Sequence, residues 1–76
     1  MKIRIEYCTP CGFLALAIGL AEQILGAYKD QVKSLEIMPG SGGIFDVSLN
    51  GEVIYSRSLT SQFPTWEDID GKLKSA

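Results

Sequence analysis

Residues 2–12 read KIRIEYCTPCG and hold the only two cysteines of the chain, Cys8 and Cys11. Through the first six residues apolar and charged side chains alternate strictly. Ile3, Ile5 and Tyr7 fall on one face, and Lys2, Arg4 and Glu6 on the other. Period two with one apolar face marks a strand that is buried on one side and wet on the other. A strand covered on both sides is apolar throughout. Cys8 to Gly12 turn the chain, and FLALAIGLAEQILGAY (residues 13–28) follows as a helix rich in Ala and Leu. The cysteines therefore stand where a half-buried strand hands over to a helix.

Outward from this stretch the pattern continues. Two apolar series run along the helix at helical spacing: Leu14, Ile18, Ala21, Leu25 and Tyr28, and Phe13, Leu16, Leu20 and Ile24. The apolar arc is wide, so the expectation is a core helix with a broad buried face. Its alternative is a helix that leaves part of the arc to a partner. SLEIM (34–38) alternates again, with Leu35 and Ile37 inward, and Pro39 is expected to end that strand because it lacks an N–H. Strand, helix and strand make a βαβ unit, so the two strands are expected to be parallel with a right-handed crossover. After the loop Gly40 to Gly43, IFDVSLN (44–50) places Phe45, Val47 and Leu49 on the core side. Asn50-Gly51 is a type I′ hairpin signal, and Glu52 to Arg57 is the returning antiparallel strand. Residues 58–64 form a polar loop ending in Phe63-Pro64. Thr65 then caps a last helix, with Asp68 completing a capping box and Trp66, Ile69 and Leu73 forming its apolar stripe.

The order β-α-β-β-β-α defines an α+β two-layer fold of the α/β class, with a four-stranded mixed sheet and both helices on one face. Seventy-six residues are read as one domain, residues 1–76. Seven basic and nine acidic residues give a net charge of −2 without a basic run, which argues against nucleic-acid binding and adhesion to a membrane surface. MKIRIEYC does not read as a signal peptide, and the apolar run from Gly12 to Ala21 is too short for a bilayer. A cytoplasmic location is expected, where cellular thiols keep structural disulfides scarce. A monomer is expected, and a weak dimer is the form that a shared metal site would need.

Three uses of Cys8 and Cys11 compete. Thr9 reads as an N-cap and Pro10 as the first helical residue, so free amides and the helix dipole would face the sulfurs. Such a setting lowers a thiol pKa from about 8.5 towards neutrality, and C-x-x-C beside a βαβ pattern is the thioredoxin-like signature of a reversible disulfide. A zinc site needs four ligands and the chain supplies two thiols and no histidine, so metal requires two copies pooling their pairs. Two inert, packed cysteines are the third use. Among the other motifs, the glycines at 40–43 lack the Lys-Ser/Thr and helix of a phosphate loop. Pro39 as a cis proline facing the sulfurs is disfavoured, since only about 5–6% of X-Pro bonds are cis. The acidic residues at 67, 68 and 70 fit the helix dipole better than catalysis. Substrate contacts would come from the rim at Tyr7, Thr9 and the 40–43 loop.

IEYCTPCG, the helix directly after it, Pro39-Gly40 leading into GGIFDVSLNGEVIYSR, and Phe63-Pro64 before the last helix form an ordered set. In this set the chain resembles the selenoprotein W-like (Rdx) group of small thioredoxin-like proteins, along nearly its whole length. The resemblance implies a thioredoxin-like fold and a thiol–disulfide oxidoreductase of cell redox homeostasis. Its catalytic residues would be Cys8 and Cys11, cycling a disulfide with glutathione or protein thiols and needing no bound cofactor or metal. In selenoprotein members selenocysteine takes the second motif position, here Cys11, which implies that Cys11 reacts first. Thioredoxin logic would instead make Cys8 the attacker. Asp46 stands where the group usually has Glu, Ser61-Gln62 replaces a glycine, and the first helix lacks an early basic residue. The last two departures bear on partner contacts, so the phosphoserine-binding adaptors linked to animal members are not carried over. The reading from another class is a non-enzymatic interaction module. It would dock a partner through the first helix and the glycine loop, with the C-x-x-C sensing redox state or binding metal in a dimer.

Overall fold

The computed structural model describes residues 1–75. Strand β1 (Lys2–Cys8) leads through a turn into helix α1 (Leu14–Tyr28), followed by a 3-10 turn at Lys29–Gln31. Next come β2 (Ser34–Gly40), β3 (Phe45–Leu49), β4 (Glu52–Ser56), a single helical turn α2 (Arg57–Thr60) and helix α3 (Trp66–Lys74). The sheet order is β2-β1-β3-β4. β1 runs parallel to β2 and antiparallel to β3, and β3 runs antiparallel to β4.

β1 thus lies inside the sheet, and its alternation has the anticipated effect. Ile3, Ile5 and Tyr7 enter one core with Phe45, Val47 and Leu49 of β3, Ala17, Leu20, Ala21 and Ile24 of α1, and Ile69 and Leu73 of α3. One shared cluster means that α1 and α3 cover the same face of the sheet. On the other face Arg4 pairs with Glu36 of β2 at 2.7 Å, both well exposed. The fold is the expected mixed four-stranded sheet with its helices in a second layer.

Local chemistry explains most boundaries. Asn50 and Gly51 both take positive φ (53° and 88°) in the β3–β4 hairpin, and Asn50 Oδ1 also accepts the Lys2 amide at 2.9 Å. Thr65 accepts the Asp68 amide and Asp68 accepts the Thr65 amide, so the capping box is complete.

Four expectations need correction. α1 begins at Leu14 with Phe13 in the N-cap position and no side-chain cap, so Thr9 and Pro10 are neither cap nor first turn. Gly12 adopts φ +76°, a left-handed conformation that ends the preceding turn and cannot lie inside a right-handed helix. Pro39 does not end β2, which continues to Gly40 opposite Cys8. β2 is an edge strand, where a missing N–H need not break a ladder bond. The Met38–Pro39 bond is trans, as are the others described. Residues 58–64 are not all loop, because Arg57–Thr60 coil into a helical turn closed by Ser61 at φ 61°. Finally, α1 buries only the stripe Ala17, Leu20, Ala21 and Ile24, while Leu14, Leu16, Ile18 and Leu25 remain about half exposed. The domain is two layers thick, so a second covering layer for the flank of α1 does not exist among the described residues.

Candidate functional site

Cys8 and Cys11 are joined by a disulfide across a Cα–Cα distance of 5.3 Å. Backbone hydrogen bonds hold the loop that carries them. The Gly12 amide donates to the Thr9 carbonyl (3.1 Å) and the Phe13 amide donates to the Cys8 carbonyl (3.4 Å). From the sheet side, the Cys8 amide donates to the Ile44 carbonyl (2.8 Å) and the Thr9 amide to that of Gly40 (3.0 Å). The first cysteine is therefore fixed as the last residue of a central strand. The second is carried on the turn.

This difference sets their exposure. Cys8 is 0% exposed, and Cys11 lies open to solvent. The glycine loop meets the site closely. A Cβ on Gly40 would stand 3.0 Å from Glu6 Oε2 and 3.0 Å from Ile44 Cγ2. A side chain there would press on the residue whose carbonyl holds Cys8. Of the expected rim, Thr9 and the 40–43 loop are beside the disulfide, but Tyr7 is only 8% exposed and belongs to the core. Its strand parity points it under the helices, so it offers no contact surface.

The start of α1 lies three residues past Cys11 instead of at the motif. A helix dipole acts mainly within its first turn, so its pull on the sulfurs is weaker than a cap at Thr9 would have given.

A second group of residues was not visible as a site in the sequence. Phe13, Phe45 and Phe63 meet edge to face, with centroids 6.4 Å (Phe13–Phe45), 4.8 Å (Phe13–Phe63) and 5.5 Å (Phe45–Phe63) apart. The Arg57 guanidinium lies over Phe13 (5.2 Å) and Phe63 (5.0 Å), and its Nη1 donates to the Gly43 carbonyl at 3.3 Å. These contacts join the turn after Cys11, the glycine loop, the end of β4 and the segment before α3. The partners come from four distant segments, so no local spacing announces them. Phe63-Pro64 and the stretch GGIFDVSLNGEVIYSR, which carry the family resemblance, are their only trace in the sequence.

Among the described residues no cluster of three or more His, Cys, Asp or Glu is placed to hold a metal ion. No helix among them is long and apolar enough to cross a membrane.

A mixed four-stranded sheet, helices on one face and a C-x-x-C disulfide where the first strand ends define a thioredoxin-like dithiol protein. The model of the Rdx family matches residues 2–75, and the chain belongs to that family. It is 33% identical over 78 residues to migration and invasion enhancer 1 of Bos taurus and of Mus musculus, covering all of this chain. The chain spans 64% of the length of those relatives. Among solved structures, a protein of Bordetella parapertussis superposes with a TM-score of 0.93 at 27% identity, covering 97% of this chain and 94% of its own. A selenoprotein W-related protein of Vibrio cholerae does so with a TM-score of 0.93 at 23% identity, covering 97% and 92%, and speaks to the fold alone.

Proposed function

We propose that the protein is a small thiol–disulfide oxidoreductase that cycles the Cys8–Cys11 disulfide against glutathione or protein thiols in a reducing compartment such as the cytoplasm. The observation that carries this reading is the asymmetry of the pair: one sulfur sealed at the end of β1, the other exposed on the turn. An incoming thiolate attacks Cys11 Sγ and breaks the Cys8–Cys11 bond, and the electron pair leaves on Cys8, which takes a proton. A second thiolate attacks the incoming sulfur of the mixed disulfide, releasing an external disulfide and the Cys11 thiolate. Two external thiols are oxidised and one protein disulfide is reduced. Running in reverse, the Cys11 thiolate attacks an external disulfide and Cys8 resolves the product.

Exchange of this kind requires no histidine, and the chain has none. It needs an accessible sulfur and a near neighbour, which are Cys11 on the turn and Cys8 at the end of β1. The test is trapping. The Cys8→Ser protein, treated with glutathione disulfide, should form a mixed disulfide on Cys11 in stoichiometric yield. Absence of any adduct on the folded variant would overturn the order of attack.

The half-exposed flank of α1 at Leu14, Leu16, Ile18 and Leu25 favours a second role in docking a protein. If docking is the main function, Cys11→Ser leaves partner binding intact. If the complex is a mixed disulfide, that substitution abolishes it.

A further inference from the structure

Among the described residues Arg57 is a charged group without a charged partner. The two ion pairs among the described residues, Arg4–Glu36 and Lys74–Asp70, do not involve it. An arginine carries five N–H donors. Here one is used, from Nη1 to the Gly43 carbonyl at 3.3 Å. Nε is buried with no hydrogen-bond partner, and Nη2 makes no hydrogen bond among the described residues. The Phe13 and Phe63 rings cover the guanidinium at 5.2 and 5.0 Å, stripping water from it while holding its plane in place. The sealed Nε is out of a ligand's reach, and a positioned, partly dehydrated guanidinium with spare donors on its two Nη atoms is an arrangement that binds a carboxylate.

Its location gives that capacity a purpose. Phe13 stands two residues after Cys11, and its amide bonds the Cys8 carbonyl. Gly43 precedes Ile44, whose carbonyl holds the Cys8 amide. The guanidinium therefore touches one residue that bonds Cys8 through the backbone, Phe13, and the neighbour of another, Ile44. Cys8, Gly40, Phe45 and Ser56 mark this end of the sheet in the strand register. Among the described residues Arg57 is the only basic side chain there. Lys2 and Arg4 lie further down β1, Lys29 and Lys33 follow the far end of α1, and Lys72 and Lys74 close α3.

We infer that Arg57 is a specificity-determining residue that binds the carboxylate of an anionic thiol substrate, glutathione being one such thiol, and holds its sulfur beside Cys11. This rests on the exchange reading above and names the substrate class of that site. Without such a residue, a chain of net charge −2 would favour cationic thiols.

The test compares three small thiols as reductants of the disulfide: 3-mercaptopropionate, 2-mercaptoethanol and cysteamine. Each rate is expressed per thiolate and divided by its rate on a neutral small disulfide, to remove intrinsic nucleophilicity. The wild type at low salt should favour the anionic thiol over the neutral one by roughly five- to tenfold, the scale of a charge-assisted hydrogen bond at a partly exposed site. The preference should collapse in ~1 M NaCl, where the Debye length is about 3 Å. In Arg57→Met the normalised anionic and neutral rates should become equal, and Arg57→Lys should keep part of the preference. Equal normalised rates for the three thiols in the wild type would overturn the inference and leave the exchange reading standing. So would an equal slowing of all three in Arg57→Met, the mark of a purely structural brace. Resistance of the folded disulfide to every thiol would overturn both.

Discussion

An external thiol approaching the Cys8–Cys11 bond meets Cys11 first, because β1 and its neighbours enclose Cys8. Single-cysteine proteins separate the two. In Cys8→Ser, Cys11 should alkylate with iodoacetamide at the rate of an open thiol of the same pKa. In Cys11→Ser, Cys8 reacts only after local opening, and an opening cost of about 1.4 kcal/mol already slows it tenfold. Mass spectrometry of timed samples, native and in denaturant, reads the difference; equal native rates would contradict it. A second residue pair acts far from this site. The Tyr28 hydroxyl donates to Asp70 Oδ1 at 2.5 Å and ties the end of α1 to α3. This bond, with burial and the charge of Asp70 adding to it, pushes the Tyr28 pKa up to about 12. The same hydroxyl, with Lys74 beside it, holds the Asp70 carboxyl below the usual carboxylate value. A lowered folded pKa at Asp70 stabilises above the unfolded value of 3.8 and is lost as pH falls. A raised one at Tyr28 stabilises below the unfolded value of 10.0 and is lost as pH climbs through about 12. Tyr28→Phe should therefore lower Tm across the intervening range and converge with the wild type at both ends. It should also remove the last phenol to ionise in an absorbance titration.

At the scale of elements, Thr65 closes its capping box with Asp68 on a short helix whose Ile69 and Leu73 complete the core. Thr65→Ala should cost about 1 kcal/mol in urea unfolding with an unchanged m-value. An unaltered midpoint would mean that core packing alone fixes the helix. Elements of this kind were legible because their signals are local: alternation for β1, Asn50-Gly51 for the hairpin, Thr65 and Asp68 for α3. The start of α1 was not legible, since Thr9-Pro10 carries a start signal and only the conformation of Gly12 cancels it. Pro39 misled for another reason. Its effect on a strand depends on whether the strand lies at the edge, and that follows from the pairing of β1 with β3, a contact between distant segments. The site divides in the same way. Cys8 and Cys11 are three residues apart and were visible, whereas Arg57 meets Phe13 and Phe63 only after the sheet and helices have assembled.

The whole molecule gains from the disulfide as well as exposing it. Closing so short a loop removes unfolded-state freedom worth about 2 kcal/mol in the chain-entropy description. For a domain of this size, reduction should lower Tm by on the order of 10 °C. Calorimetry with and without a non-thiol reductant reads this; an unchanged Tm would mean that the loop is already constrained in the unfolded chain. Reduction should not unfold the protein, because the core of the sheet and its two helices does not depend on the cysteines. A fold that persists in both states is what a reversible dithiol requires. The decisive measurement is equilibration of the folded protein across a series of reduced-to-oxidised glutathione ratios, followed by an acid quench and intact mass. The oxidised and reduced forms should interconvert fully, differ by two hydrogens, and follow the square of the reduced glutathione concentration over the oxidised. A pair that stays bonded, or stays free, at every ratio while the protein remains folded would contradict a redox function for Cys8 and Cys11.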